Sequence, residues 1–134
     1  MRIWVGYGSE HSMNLVMIGH FATAGDAEAV KQAIEEMETA ANIEMEAGRL
    51  VVGEPTRRFP EALSNVIRAL HLYSLSATEL EQFCYDVTTK LHDNTVILRT
   101  DEPDVSAYMK LLLDRGARIE VFSAHDFPER AKSL

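Results

Sequence analysis

The sequence predicts an α+β fold in one domain, and three observations carry that reading. Short apolar, partly β-branched runs are interleaved with segments whose apolar residues recur at helical spacing. The two kinds follow one another irregularly, not in a strict strand-helix alternation, which favours a mixed sheet over a doubly wound parallel one. A chain of 134 residues fits one core and leaves too little for two, and no repeat, low-complexity stretch or Pro-rich or Gly/Ser-rich linker divides it.

Arg2 to Gly6 and Asn14 to Phe21 read as two strands joined by the loop Tyr7 to Met13, most simply a hairpin. In the second strand Leu15, Met17 and Phe21 alternate with Val16 and Ile18, so both faces are apolar and both call for a cover. Thr23 with Asp26 three residues on matches a capping box, and a long helix is expected to about Ala47, stopped by Gly48. Its buried stripe is Val30, Ala33, Ile34, Met37 and Ala41, with Glu28, Glu35, Glu38 and Glu46 on the opposite side and Glu44 out of place beside the stripe. Leu50 to Val52 fits a short strand or an extended connection.

Phe59-Pro60-Glu61 opens a second helix, with Leu63, Val66, Ile67 and Leu70 inward. Ser76 and Glu79 repeat the capping-box pattern and start a third, buried through Leu80, Phe83, Cys84, Val87 and Leu91. After the turn signal Asp93-Asn94 comes the strand Thr95 to Thr100. A helix over Val105, Tyr108, Met109 and Leu112 ends at Arg115-Gly116, the strand Ala117 to Phe122 follows, and Pro128 allows a short terminal helix. These elements suit one four- or five-stranded sheet with helices mainly on one face, a ferredoxin-like (split βαβ) arrangement. Were 95–100 and 117–122 neighbours, the helix between them would be a crossover and the two would run parallel.

Composition excludes several classes of function. No apolar run is long enough to cross a membrane, and the opening residues are too short for a signal peptide. The lone Cys84 forms no internal disulfide, so a cytoplasmic setting is expected. Thirteen basic residues against 21 acidic ones leave a net charge of −8, which disfavours general nucleic-acid binding. That charge is lopsided: residues 26–46 carry seven acids against Lys31, whereas residues 49–70 carry four arginines against two glutamates. Motifs for dinucleotides, P-loop phosphates, the nucleophile elbow, CxxC redox chemistry and zincins are absent, and no cofactor or metal is expected.

Two places can carry chemistry. In the loop after the first strand, Tyr7, Glu10 and His11 lie among Ser9 and Ser12, where imidazole and carboxylate suit acid-base work. The plain alternative is a turn whose serines bond their own backbone. His20, Asp101, His125 and Asp126 stand at strand ends and would converge on one rim if those strands ran parallel, or else serve as edge residues and helix caps. Cys84, on an apolar stripe, reads as a core thiol.

The stretch GYGSEHSMNLVMIGHF, residues 6–21, resembles the start of a family of short bacterial proteins known as a domain of unknown function, which brings no activity with it. The element pattern is loosely similar to the dimeric α+β-barrel proteins, and that likeness implies a homodimer with small-molecule pockets and no transferable catalytic residues. The expected function is capture of a basic protein partner, as an immunity, antitoxin-like or inhibitor module, through Glu28, Glu35, Glu38 and Glu46. The same strip could imitate nucleic-acid phosphates. The alternative is a dimeric small-molecule enzyme or binding protein using Tyr7, Glu10, His11 and His20.

Overall fold

The computed structural model describes residues 14–54 and 58–134. Their elements are β1 (Leu15–His20), α1 (Ala24–Glu46), α2 (Glu61–Leu70), a 3₁₀ helix (Ala77–Cys84), β2 (Val87–His92), β3 (Thr95–Thr100), α3 (Ser106–Asp114), β4 (Arg118–Ser123) and α4 (Pro128–Lys132). The strand predicted over Arg2 to Gly6 and the loop with Tyr7, Glu10 and His11 lie outside the described residues.

The four strands form one antiparallel sheet in the order β2-β3-β1-β4. Because β1 pairs antiparallel with both β3 and β4, those two run in the same direction with β1 between them. The expectation that they might be direct neighbours is therefore corrected: an apolar strand that needs partners on both edges has taken the centre. By the same rule β1 and β2 run in the same direction with β3 between them.

The apolar residues of β1 divide as their alternation requires. Leu15 and Met17 join Val96 and Leu98 in the main core with Val30, Ile34 and Met37 of α1, Leu63 of α2, Phe83 and Tyr108. Val16 and Ile18 join Ile97 in a smaller cluster with Ala124 and Ala131 of the C-terminal segment. Gly19 lets α3 approach: a Cβ there would meet the Leu112 side chain at 3.2 Å and the Phe21 ring at 3.3 Å.

α1 begins where its cap predicts, with the Thr23 hydroxyl accepting from the Asp26 N–H at 3.1 Å. Every residue of the predicted stripe is buried. The helix ends at Glu46, and Gly48 takes the left-handed backbone, φ 77°, that a chain reversal after a helix needs. Leu50 is buried but no strand forms there; Val51 and Val52 are exposed in a turn.

The third helix is shorter than predicted. It is a 3₁₀ turn ending at Cys84, and Val87 to His92 is the edge strand β2. Val87-Thr88-Thr89 is β-branched, which favours extended backbone, and the Asp93-Asn94 turn, with Asp93 at φ 52°, folds the segment back as a hairpin onto β3. Val87 and Leu91, four apart, fit a helical and a strand period equally well.

Candidate functional site

The acidic face of α1 is built by helical geometry. At 100° per residue Glu28, Glu35 and Glu46 fall on one ridge, and all three are exposed, as is Glu36 beside it. The ridge from Glu28 to Glu46 extends about 27 Å at 1.5 Å per residue. Lys31 is the sole cation on the helix and pairs with Glu35 one turn on.

Two carboxylates depart from the ridge. Glu38 sits some 60° from Glu35 toward the stripe and is half-buried, its Oε2 accepting from the Tyr108 hydroxyl at 2.7 Å. Burial raises the Glu38 carboxyl against the lowering effect of that bond, and burial also raises the Tyr108 hydroxyl. A sequence projection could not see this, because Tyr108 arrives from α3, seventy residues away. Glu44, out of place beside the stripe, is buried and answered by Arg49, whose Nε and Nη2 donate to its two oxygens at 2.6 and 3.0 Å. That fork lowers the Glu44 carboxyl.

The strand-end residues do not converge. Antiparallel pairing places His20 opposite Thr95 and Arg118, at the far end of the sheet from Thr100 and Ser123, beyond which Asp101, His125 and Asp126 follow. His20 has partners of its own, in a cluster the sequence reading missed. Its Nε2 lies 2.6 Å from Glu120 Oε1, and Arg130 of α4 donates to both Glu120 oxygens at 3.1 and 2.9 Å. The His20 bond, with Arg130 behind it and against burial, lowers the Glu120 carboxyl. An ionised carboxylate only accepts, so Nε2 is the ring nitrogen that donates. In the sequence Glu120 shows only as a residue sharing a strand face with Arg118 and Phe122; the register that brings that strand beside His20 is not legible there.

A third network ties the 3₁₀ helix to α3. The buried Glu79 carboxylate accepts from Lys110 at 2.6 Å, from Ser106 at 2.6 Å, and from the Ser76 N–H and hydroxyl at 2.9 and 3.0 Å. Burial pushes the carboxyl upward, but these donors together outweigh it and hold it at about 2. Gln82 completes the network, donating to Ser106 and accepting from the Ala107 N–H, one of the free donors at the start of α3. No buried side-chain nitrogen or oxygen of this network is left without a partner, which marks a joint of the fold. Cys84 is half-buried and its thiol is raised by burial, then by Glu81, which keeps it protonated.

Among the described residues no three or more His, Cys, Asp or Glu side chains gather as a metal site, and no helix is long and apolar enough to cross a membrane. No curated protein and no solved structure matches the chain. A family model does match, described as a family of unknown function, DUF6375, and it spans residues 1–133. A match over nearly the whole length, on a sequence whose opening segment already resembled such a family, establishes that the chain belongs to DUF6375.

Proposed function

We propose that this protein captures a basic protein partner, as an immunity, antitoxin-like or inhibitor module, through the outward ridge of α1. One observation carries the reading: Glu28, Glu35, Glu36 and Glu46 are all exposed on one rod whose sole cation is Lys31. A negative strip of this length steers a basic surface and sets its orientation, with an effect that salt screens. Glu38 is withdrawn from the strip, since its carboxylate serves Tyr108. The single, half-buried Cys84 suits a cytoplasmic setting.

The test uses an immobilised oligolysine peptide as a stand-in for the basic surface. The triple variant E28Q/E35Q/E46Q should lose retention and much of its salt sensitivity. A control of equal charge, E61Q/D126N/E129Q, should keep both. Equal losses in the two triples would assign retention to net charge and defeat the reading.

A second reading is favoured by the His20 and Glu120 contact. In it the chain is a ferredoxin-like (split βαβ) protein that dimerises and handles a small molecule, with His20 as acid or base oriented by Glu120. The strand order β2-β3-β1-β4 supports that architecture: β1 and β2 are joined through α1 around β3, and β3 and β4 through α3 around β1.

A further inference from the structure

We infer that the groove along α2 is a binding site for a small aromatic carboxylate. The groove is lined by Phe59, Ser64, Ile67, Arg68 and Tyr73 and has a volume of about 180 Å³. Three of these residues belong to α2 at positions i, i+3 and i+4, so Ser64, Ile67 and Arg68 share one face over a single turn. Phe59 comes from the segment before the helix and Tyr73 from the segment after it, so an aromatic ring enters from each side in sequence. The left-handed residue His71, φ 56°, turns the chain back at the helix end and brings Tyr73 to the groove.

The lining is chemically divided. Ile67 is the buried floor, at 8% exposure, while Phe59 is 38% and Tyr73 70% exposed. Water therefore touches two large rings that an arene could cover, and ring pairs prefer offset or edge-on geometry that a third ring can join. Despite its exposure the Tyr73 ring has a set position, with its hydroxyl 3.1 Å from His71 Nδ1 and the two rings edge-on.

Arg68 supplies the polar end. The side chains of Arg49, Arg99, Arg115 and Arg130 all donate to protein oxygens, whereas that of Arg68, like those of Arg58 and Arg118, has no hydrogen-bond or ion-pair partner among the described residues. A guanidinium is a planar fork of donors that a carboxylate matches two bonds at a time, and the Ser64 hydroxyl one turn away is a further donor. Four of the five residues lining the groove also lie within residues 49–70, where four arginines outnumber two glutamates, so a monoanion is attracted locally despite the overall charge of −8. Its volume falls below the roughly 300–1,000 Å³ of drug-sized sites, which limits the ligand to a single ring.

Titrating benzoate into the ¹⁵N-labelled protein should shift the amides of Ser64, Ile67, Arg68 and Tyr73 saturably, with a Kd on the order of 1 mM, the affinity a ligand of so few atoms can reach. Benzyl alcohol, which keeps the ring and lacks the charge, should bind at least tenfold more weakly (about one power of ten in affinity). Arg68→Gln, an exposed change that leaves the core untouched, should weaken benzoate by a similar factor, and Tyr73→Ala should weaken benzoate and benzyl alcohol together. Shifts that fail to saturate, benzoate binding unchanged in Arg68→Gln, or benzyl alcohol binding as tightly as benzoate would each overturn the assignment. None of these outcomes depends on α1, so the partner proposal stands or falls separately.

Discussion

At the scale of single residues, Glu79 shows how a buried charge becomes part of the fold. Its four donors hold the carboxyl at about 2, below its ordinary 4.5. A folded-state pKa lowered in this way contributes stability that is fully present above 4.5 and is lost as pH falls toward 2. Glu79→Gln should therefore cost about 2 kcal/mol near neutral pH, where Lys110 and Ser106 lose their anion. The same variant should flatten the acid side of the stability profile between 4.5 and 2. Denaturant melts at a series of pH values check both, and a variant that loses stability equally at pH 2 and pH 7 would remove the carboxylate from the account. The Ser76 and Glu79 spacing announced half of this site in the sequence, as a capping box. Lys110 and Ser106 could not be read there, because they belong to a helix that meets Glu79 only through tertiary packing. His20 taught the same lesson: the residue was legible as polar and strand-terminal, but its partners Glu120 and Arg130 are about a hundred residues downstream.

At the scale of elements, the closeness of α3 to the sheet rests on Gly19. Gly19→Val would place a Cβ and its two methyl groups against Leu112 and Phe21, where the Cβ alone is tight at 3.2 Å. The higher strand propensity of valine should not compensate, and the variant should lose about 2 kcal/mol by urea unfolding with an unchanged slope. A gain in stability would mean that α3 can slide outward at no cost. Element identities were legible wherever one period dominated. The stripe of α1 holds one helical phase from Val30 to Ala41, about three turns, and Leu15 to Ile18 is too short and too apolar for an amphipathic helix. Val87 to His92 was misread because two apolar residues four apart satisfy a helical stripe and, with the β-branched residues between them, an edge strand equally well. Only the partner strand β3 decides between them.

At the scale of the whole molecule, the pairing directions could not be read from the sequence at all, because one central strand sets them. The convergence of His20 with Asp101 and His125 depended on parallel strands, and antiparallel pairing sends them to opposite ends of the sheet. The second functional reading is also a statement at this scale, since it requires two copies. Sedimentation at micromolar concentration should then give twice the chain's 15.0 kDa. A single 15.0 kDa species would remove the dimer and leave the partner proposal untouched.

The central place of β1 also governs how the molecule must be made. Leu15 hydrogen-bonds into a ladder with Thr100 on one side and Ser123 on the other, so the first described strand to leave a ribosome waits for nearly the last. Until β3 has been made it is an apolar ribbon with both of these edges open, and until β4 follows one edge stays open, a template for any stray strand. The β2-β3 hairpin closes locally and early, whereas the seat for β1 is completed only when β4 arrives. Truncation at the C-terminus should therefore injure the N-terminal half first.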